Sequence, residues 1–226
     1  MQIPVTVVRP ASAELPLDRS EVLRYLRYKP GITRMGPREE ALVDRGIALA
    51  LEAAAPAACL SACAISVDGR TVATRVPGLV WHSSALARLL QDAAGVTLVA
   101  ATLGPEIEQL TAELFRTEEY ALATVVDAAG SALVHGLEEH LRAIVGGQVS
   151  PLSGPGYGDW DIHDQTSLTQ KAGGELIGLS CTETCYLSPQ KSLVGIFGWT
   201  AAGNSAAPCA TCRLKDCTYR TGVEPQ

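Results

Sequence analysis

The sequence predicts a soluble protein that mixes helices with strands, and three observations carry that reading. The composition is 47% apolar and 19% charged with only 5% aromatic residues, an alanine- and valine-rich balance suited to a folded core. Asp68-Gly69 lies between two β-type runs, 59–67 and 71–76, and is a strong hairpin signal. Residues 118–145 read as one long helix. At 226 residues the chain suffices for one large domain or two small ones. No boundary interrupts it before the small-residue linker at 201–208, so residues 1–200 form the domain and 201–226 the linker and a cysteine-rich tail.

The elements follow in order. Asp18 with Glu21 forms a capping box for a helix reaching residue 28. Pro37 suits the first turn of a second helix, with Ala41, Leu42, Val43, Leu49 and Leu51 as its apolar content and Pro56 just past its end. After the hairpin, Ser83 or Ser84 caps a helix ending near residue 94. Residues 96–103 form a buried strand, and Gly104-Pro105 starts another helix. The long helix carries a candidate interruption at Gly130. Asp159 or Asp161 caps a helix running to about residue 171. Strands close the domain around 184–187 and 192–197, with Ser188-Pro189-Gln190-Lys191 between them.

Charge narrows the function classes. A net charge of −6 and the lack of a basic stripe argue against nucleic-acid or anionic-membrane partners. Residues 1–10 carry only Arg9 as a cation and no signal-type apolar core, and the run 96–103 is too short to span a bilayer. A cytoplasmic location is the expectation. There is no G-x-S-x-G, P-loop or H-E-x-x-H pattern, and the glycines near residue 156 have the wrong spacing for a dinucleotide fingerprint.

Three features can carry chemistry. Gly154-Pro155-Gly156-Tyr157-Gly158-Asp159-Trp160 combines backbone freedom with two aromatic faces, so a flat ligand can lie against bare peptide. The alternative is an ordinary Gly-Pro turn with its aromatics folded back onto the core. On the long helix, Asp127, Ser131 and His135 recur every four residues as one polar stripe, either a solvated face or a ligand-facing one beside small Ala128, Ala129 and Ala132. Third, Cys209, Cys212 and Cys217 give C-x2-C-x4-C, thiolates able to converge on zinc or an iron–sulfur cluster. Their plain alternative is a set of reduced thiols. Cys59/Cys63 and Cys181/Cys185 are each four apart in apparent strands, too far apart to chelate one ion together, and read as small buried residues. Cys181 or Cys185 can complete the tail site only if the tail folds back. His82, His140 and His163 read as surface or satisfied core residues.

Taken as an ordered series, Thr102-Leu103-Gly104, Asp127-Ala128-Ala129-Gly130-Ser131, Gly156-Tyr157-Gly158-Asp159-Trp160, Gln165, Ile177-Gly178-Leu179-Ser180, Thr182-Glu183-Thr184 and Ser188-Pro189-Gln190-Lys191-Ser192 resemble the reactivation domain of cobalamin-dependent methionine synthase. The likeness extends to free-standing members with a C-terminal cysteine tail and covers roughly residues 21–220. It implies an α+β fold with a curved, largely antiparallel sheet flanked by helices. It also implies binding of S-adenosylmethionine by Gly154, Gly156 and Tyr157, with Asp127 or His135 as polar partners. The implied partners are a corrinoid-binding methionine synthase or methyltransferase subunit, whose cobalamin is reductively methylated, and an electron donor protein. Two positions depart from the family: Leu152 replaces an arginine suited to a carboxylate, and His135 replaces a glutamate suited to an ammonium. These departures keep a second reading open, a non-methylating corrinoid-protein partner with a metal-binding or electron-transfer tail.

The tail reading has a direct check. Protein purified without oxygen or chelator is expected to carry zinc or iron at about one site per chain or more by elemental analysis, through three thiolates near one another in sequence. Metal-free protein with Cys209, Cys212 and Cys217 all freely alkylated would overturn it.

Overall fold

A computed structural model describes residues 4–29 and 31–200; Cys209, Cys212 and Cys217 lie outside the described residues. The spine is strand β2 (Ala57–Asp68). Along one edge it pairs with β5 (Ala93–Thr102), from Ala57↔Thr102 to Ala64↔Gly95. Along the other it meets β1 (Thr6–Val8) near its start and β3 (Thr71–Thr74) near its end. Strand β4 (Val80–His82) extends the sheet from β3, and β8 (Ser192–Thr200) extends it from β5. The order is β4-β3-β2-β5-β8, every pairing is antiparallel, and the sheet curls into a half-barrel. A separate ribbon joins β6 (Ser180–Cys181) to β7 (Leu187–Ser188). The expected α+β class is what the structure shows.

Residues 96–103 read as a continuous apolar run because β5 is covered on both faces. Successive side chains alternate between faces. Leu60, Val99, Ala101 and Phe197 point to the larger core, built with helices α1 (Arg19–Tyr25), α2 (Pro37–Ala53), α4 (Glu106–Arg116) and α5 (Tyr120–Val145). Cys59, Val96, Leu98, Ala100 and Ile196 point to the second core, with α3 (Ser84–Leu89) and α6 (Asp164–Lys171).

Local signals mostly land within a few residues of the observed ends. Asp18 caps α1 by accepting from Ser20 N at 2.8 Å, but Glu21 turns to Arg24 instead of closing a box. Pro37 opens α2 as expected. Ser83 caps α3 through Leu86 N at 3.0 Å, and that helix stops at Leu89, earlier than expected, because the chain enters β5 at Ala93. Gly130 does not interrupt α5. It is buried, and a side chain there would press on Ile107 and on the stem of Lys191. By length and composition α5 can cross a membrane, yet 61% of its apolar window is buried inside the protein, as for a core helix.

The approach of α5 to the N-terminal segment yields a test. A Cβ at Gly136 would collide with the backbone carbonyl of Pro16. Helix propensity alone favours Gly136→Ala by about 0.5–1 kcal/mol. Overpacking against backbone costs about 1–3 kcal/mol, so the substitution is expected to destabilise. Urea denaturation decides the sign, and a more stable variant would overturn this packing.

Candidate functional site

The Gly-rich loop leaves from the outer edge of β8. Ser153 N donates to Ile196 O at 3.1 Å and Ile196 N to Ser153 O at 2.8 Å, with a second bridge at Val149↔Trp199. This approach needs small residues: a Cβ on Gly195 would lie 2.6 Å from Ser153 O, and one on Gly154 would lie 2.7 Å from Val194 O. The loop then closes on itself through Gly156 N to Trp160 O at 2.9 Å and Trp160 N to Tyr157 O at 3.0 Å. Gly156 and Gly158 take φ of +90° and +62°, conformations that favour glycine.

The two aromatics separate the two readings of this loop. Trp160 is 2% exposed, its ring 5.0 Å from that of Trp81, and its indole N–H donates to Asp164 at 3.0 Å. It is a core residue. Tyr157 is 54% exposed.

Asp159 corrects the capping expectation. Its carboxylate does not cap the helix that follows. It reaches α3 and accepts from Ser83 Oγ at 2.5 Å and from Ser84 N and Ala85 N at 2.9 Å each. The Ser83 hydroxyl and then the two backbone N–H groups hold it well below the usual carboxylate range. Asp161 turns to His163, accepting from its N at 2.9 Å and lying 2.8 Å from its Nδ1. α6 begins only at Asp164, whose carboxyl burial pushes upward, against the lowering effect of Trp160. Arg70, Val80, His82, Asp159, Asp161 and Asp164 line a hollow of about 450 Å³ here.

On α5 the polar stripe is divided between two anchors. Lys191, with a side chain only 11% exposed, lies 2.7 Å from Asp127 Oδ1 and donates to Ser131 Oγ at 2.9 Å. Glu108 takes the backbone N–H groups of Gln190 and Lys191, so the 188–191 loop is fastened to α4 as well as α5. His135 Nε2 sits 2.7 Å from the Tyr25 hydroxyl, with the rings stacked at 6.1 Å. Thus Asp127 and His135 have protein partners, while Gly154, Gly156 and Tyr157 share one loop. Leu152 is 7% exposed and belongs to the larger core.

Sequence reasoning missed Glu138 and Arg142, although both continue the same stripe at helical spacing. Burial pushes the Glu138 carboxyl up, opposed by His135, Arg142 and the nearby Leu152 N–H. Arg142 lies over the Phe197 ring at 5.9 Å.

The cysteine pairs differ from each other. Cys59 and Cys63 are buried as expected; Cys59 Sγ donates to Gly173 O at 3.2 Å, and burial pushes the Cys63 thiol up to about 11. Cys181 and Cys185 are only partly buried, and they do not share a strand. A tight turn separates them, closed by Thr182 N to Tyr186 O at 2.8 Å, with Cys185 at φ +62°. Among the described residues no group of three His, Cys, Asp or Glu side chains is arranged to hold a metal ion.

No family model matches the chain, and no curated protein matches it. Among solved structures, it is similar to the crystal structure of the MetH reactivation domain bound to AdoHcy, with a TM-score of 0.66 and 12% sequence identity. The match covers 92% of this chain and 82% of that one. The likeness establishes the fold: a curled antiparallel half-barrel with helices, of the kind seen in that domain.

The Asp159 tether predicts a pH-dependent loss of stability. Removing a capping carboxylate costs about 0.5–2 kcal/mol, so Asp159→Ala is expected to lower stability by about 1 kcal/mol at pH 7. Because the folded carboxyl ionises below its unfolded value near ~4, its stabilisation is present above that pH and is lost as pH falls. Urea denaturation at neutral and acid pH should show the difference between the two proteins shrinking at acid pH. A constant difference would remove the carboxylate from the explanation.

Proposed function

We propose that the chain binds S-adenosylmethionine and acts as a stand-alone activator of a cobalamin-dependent methionine synthase or a related corrinoid methyltransferase. In the reaction it supports, one electron and the methyl group of S-adenosylmethionine convert a partner's inert cob(II)alamin to methylcobalamin, leaving S-adenosylhomocysteine. The observation that carries this reading is a coincidence of two independent signals. The ordered sequence motifs and the fold likeness point to the same domain, and the structural neighbour holds AdoHcy. Leu152 and His135 are what speaks for the competing reading of a non-methylating corrinoid partner, and the fold likeness does not add to it.

The described residues fit such a ligand at its flat end. The exposed Tyr157 ring and the bare Gly156 and Gly158 backbone offer a stacking face and close peptide contact. The loop is rigidly hung from β8 and α3, so that face is preformed, which limits the ordering cost of binding. The protein's part is to position the ligand for a cofactor carried by the partner, with electrons from a donor protein.

Tyr157→Ala is expected to weaken S-adenosylmethionine binding about 3- to 10-fold in calorimetric titration, the loss of one aromatic contact. It should also slow reactivation of a cobalamin-dependent methionine synthase supplied with reductant. Unchanged affinity and unchanged reactivation together would remove this loop as the working surface.

A further inference from the structure

We propose that Glu138 and Arg142, one helical turn apart on α5, form a clamp for an α-amino-acid zwitterion. The guanidinium takes its carboxylate and the Glu138 carboxylate takes its ammonium. The inference rests on the proposed function and specifies the polar end of the same ligand.

Three features of the pair point to a missing third component. First, residues four apart share a helix face and normally pair. Here Arg142 Nη2 and Glu138 Oε1 stand 3.9 Å apart, too long for a hydrogen bond. Second, Arg142 Nε is enclosed without an acceptor. An enclosed donor left unmade is unfavourable, and a carboxylate seated on the Nε–Nη2 edge would satisfy it in the bidentate geometry guanidinium groups favour. The guanidinium lies meanwhile over the Phe197 ring at 5.9 Å. Third, both side chains are partly withdrawn from water, 43% exposed for Arg142 and 26% for Glu138, where charge-assisted bonds gain strength.

Location supports the same conclusion. Glu138 has the Leu152 N–H beside it, which puts the pair at the start of the segment that becomes the Gly-rich loop. Leu152 itself is turned into the core and offers no charge. His135, the other polar neighbour on that face, is engaged by Tyr25. Glu138 and Arg142 thus supply both signs of charge beside Leu152, in the segment that leads into the loop bearing Tyr157.

The test compares S-adenosylhomocysteine with 5′-methylthioadenosine, the same thioether nucleoside without an amino-acid end, by calorimetry on the full chain. The native protein is expected to bind S-adenosylhomocysteine at least 10-fold more tightly. Arg142→Met and Glu138→Gln should each weaken S-adenosylhomocysteine about 10- to 100-fold and leave methylthioadenosine unchanged. Thermal melting checks that each variant folds, and if Arg142→Met does not, the near-isosteric Glu138→Gln carries the test. Equal affinity of the native protein for both nucleosides, or S-adenosylhomocysteine binding untouched in a folded variant, overturns the clamp and leaves the proposed function standing. Failure of both nucleosides to bind the native protein overturns the two together.

Discussion

The outer edge of β8 is where the segment after α5 must be met by backbone alone, because Ser153 O and Val194 O sit where side chains on Gly195 and Gly154 would otherwise be. Two hydrogen bonds between Ser153 and Ile196 then take the place of a further strand. Once that edge is fixed, the loop beyond it has few options. Its glycines reverse the chain, Trp160 drops into the second core against Trp81, and Asp159 is carried to the start of α3. A larger side chain at either glycine would push the loop off the sheet and withdraw all three of these contacts together. An exposed edge strand is also a template for unwanted pairing, and this segment covers it.

The two-sided sheet determines where such a site can lie. Both faces are buried along β5 and β8 and along the first half of β2, so the middle of the sheet there is enclosed. At the β8 edge, segment 149–153 leads from the end of α5 to the loop that reaches α3. Phe197 faces the larger core and meets Arg142, while its neighbour Ile196 faces the second core and pairs with Ser153 through the backbone. Adjacent residues of one strand therefore link the helical face to the loop.

Elements whose signals are local were legible in the sequence. The Asp68-Gly69 turn, Pro37 at the start of α2, the run that became β5 and the length of α5 each depend on neighbours in the chain. What escaped depends on partners far away. Asp159 was one residue type in a good capping position, and nothing in the sequence shows that its acceptors would be spent on a helix about 75 residues earlier. Strands β1 and β4, at three residues each, are too short to give a pattern and exist because β2 and β3 offer them edges. Cys185 was read as strand because its neighbours are β-type residues, yet the turn between Thr182 and Tyr186 holds it in a left-handed conformation. The loop itself was found by composition, while the division of its aromatics, one inward and one outward, follows from the position of Trp81.

The stripe on α5 shows how one sequence pattern serves several docking elements. Positions 127, 131, 135, 138 and 142 follow one face at steps of three and four, and any of them is a candidate by periodicity alone. Tertiary structure sorts them by what docks on each turn. The 188–191 loop lands on the first two and brings Lys191 to Asp127, and α1 lands on the third and brings Tyr25 to His135. Each landing uses polar groups to fasten an element to α5. Beyond α1 the stripe emerges beside Leu152 with its charges only loosely matched, and there the requirement to hold the fold together relaxes. The last two positions of the stripe, Glu138 and Arg142, carry no docked element of this kind, and that contrast is what motivates the clamp we propose there.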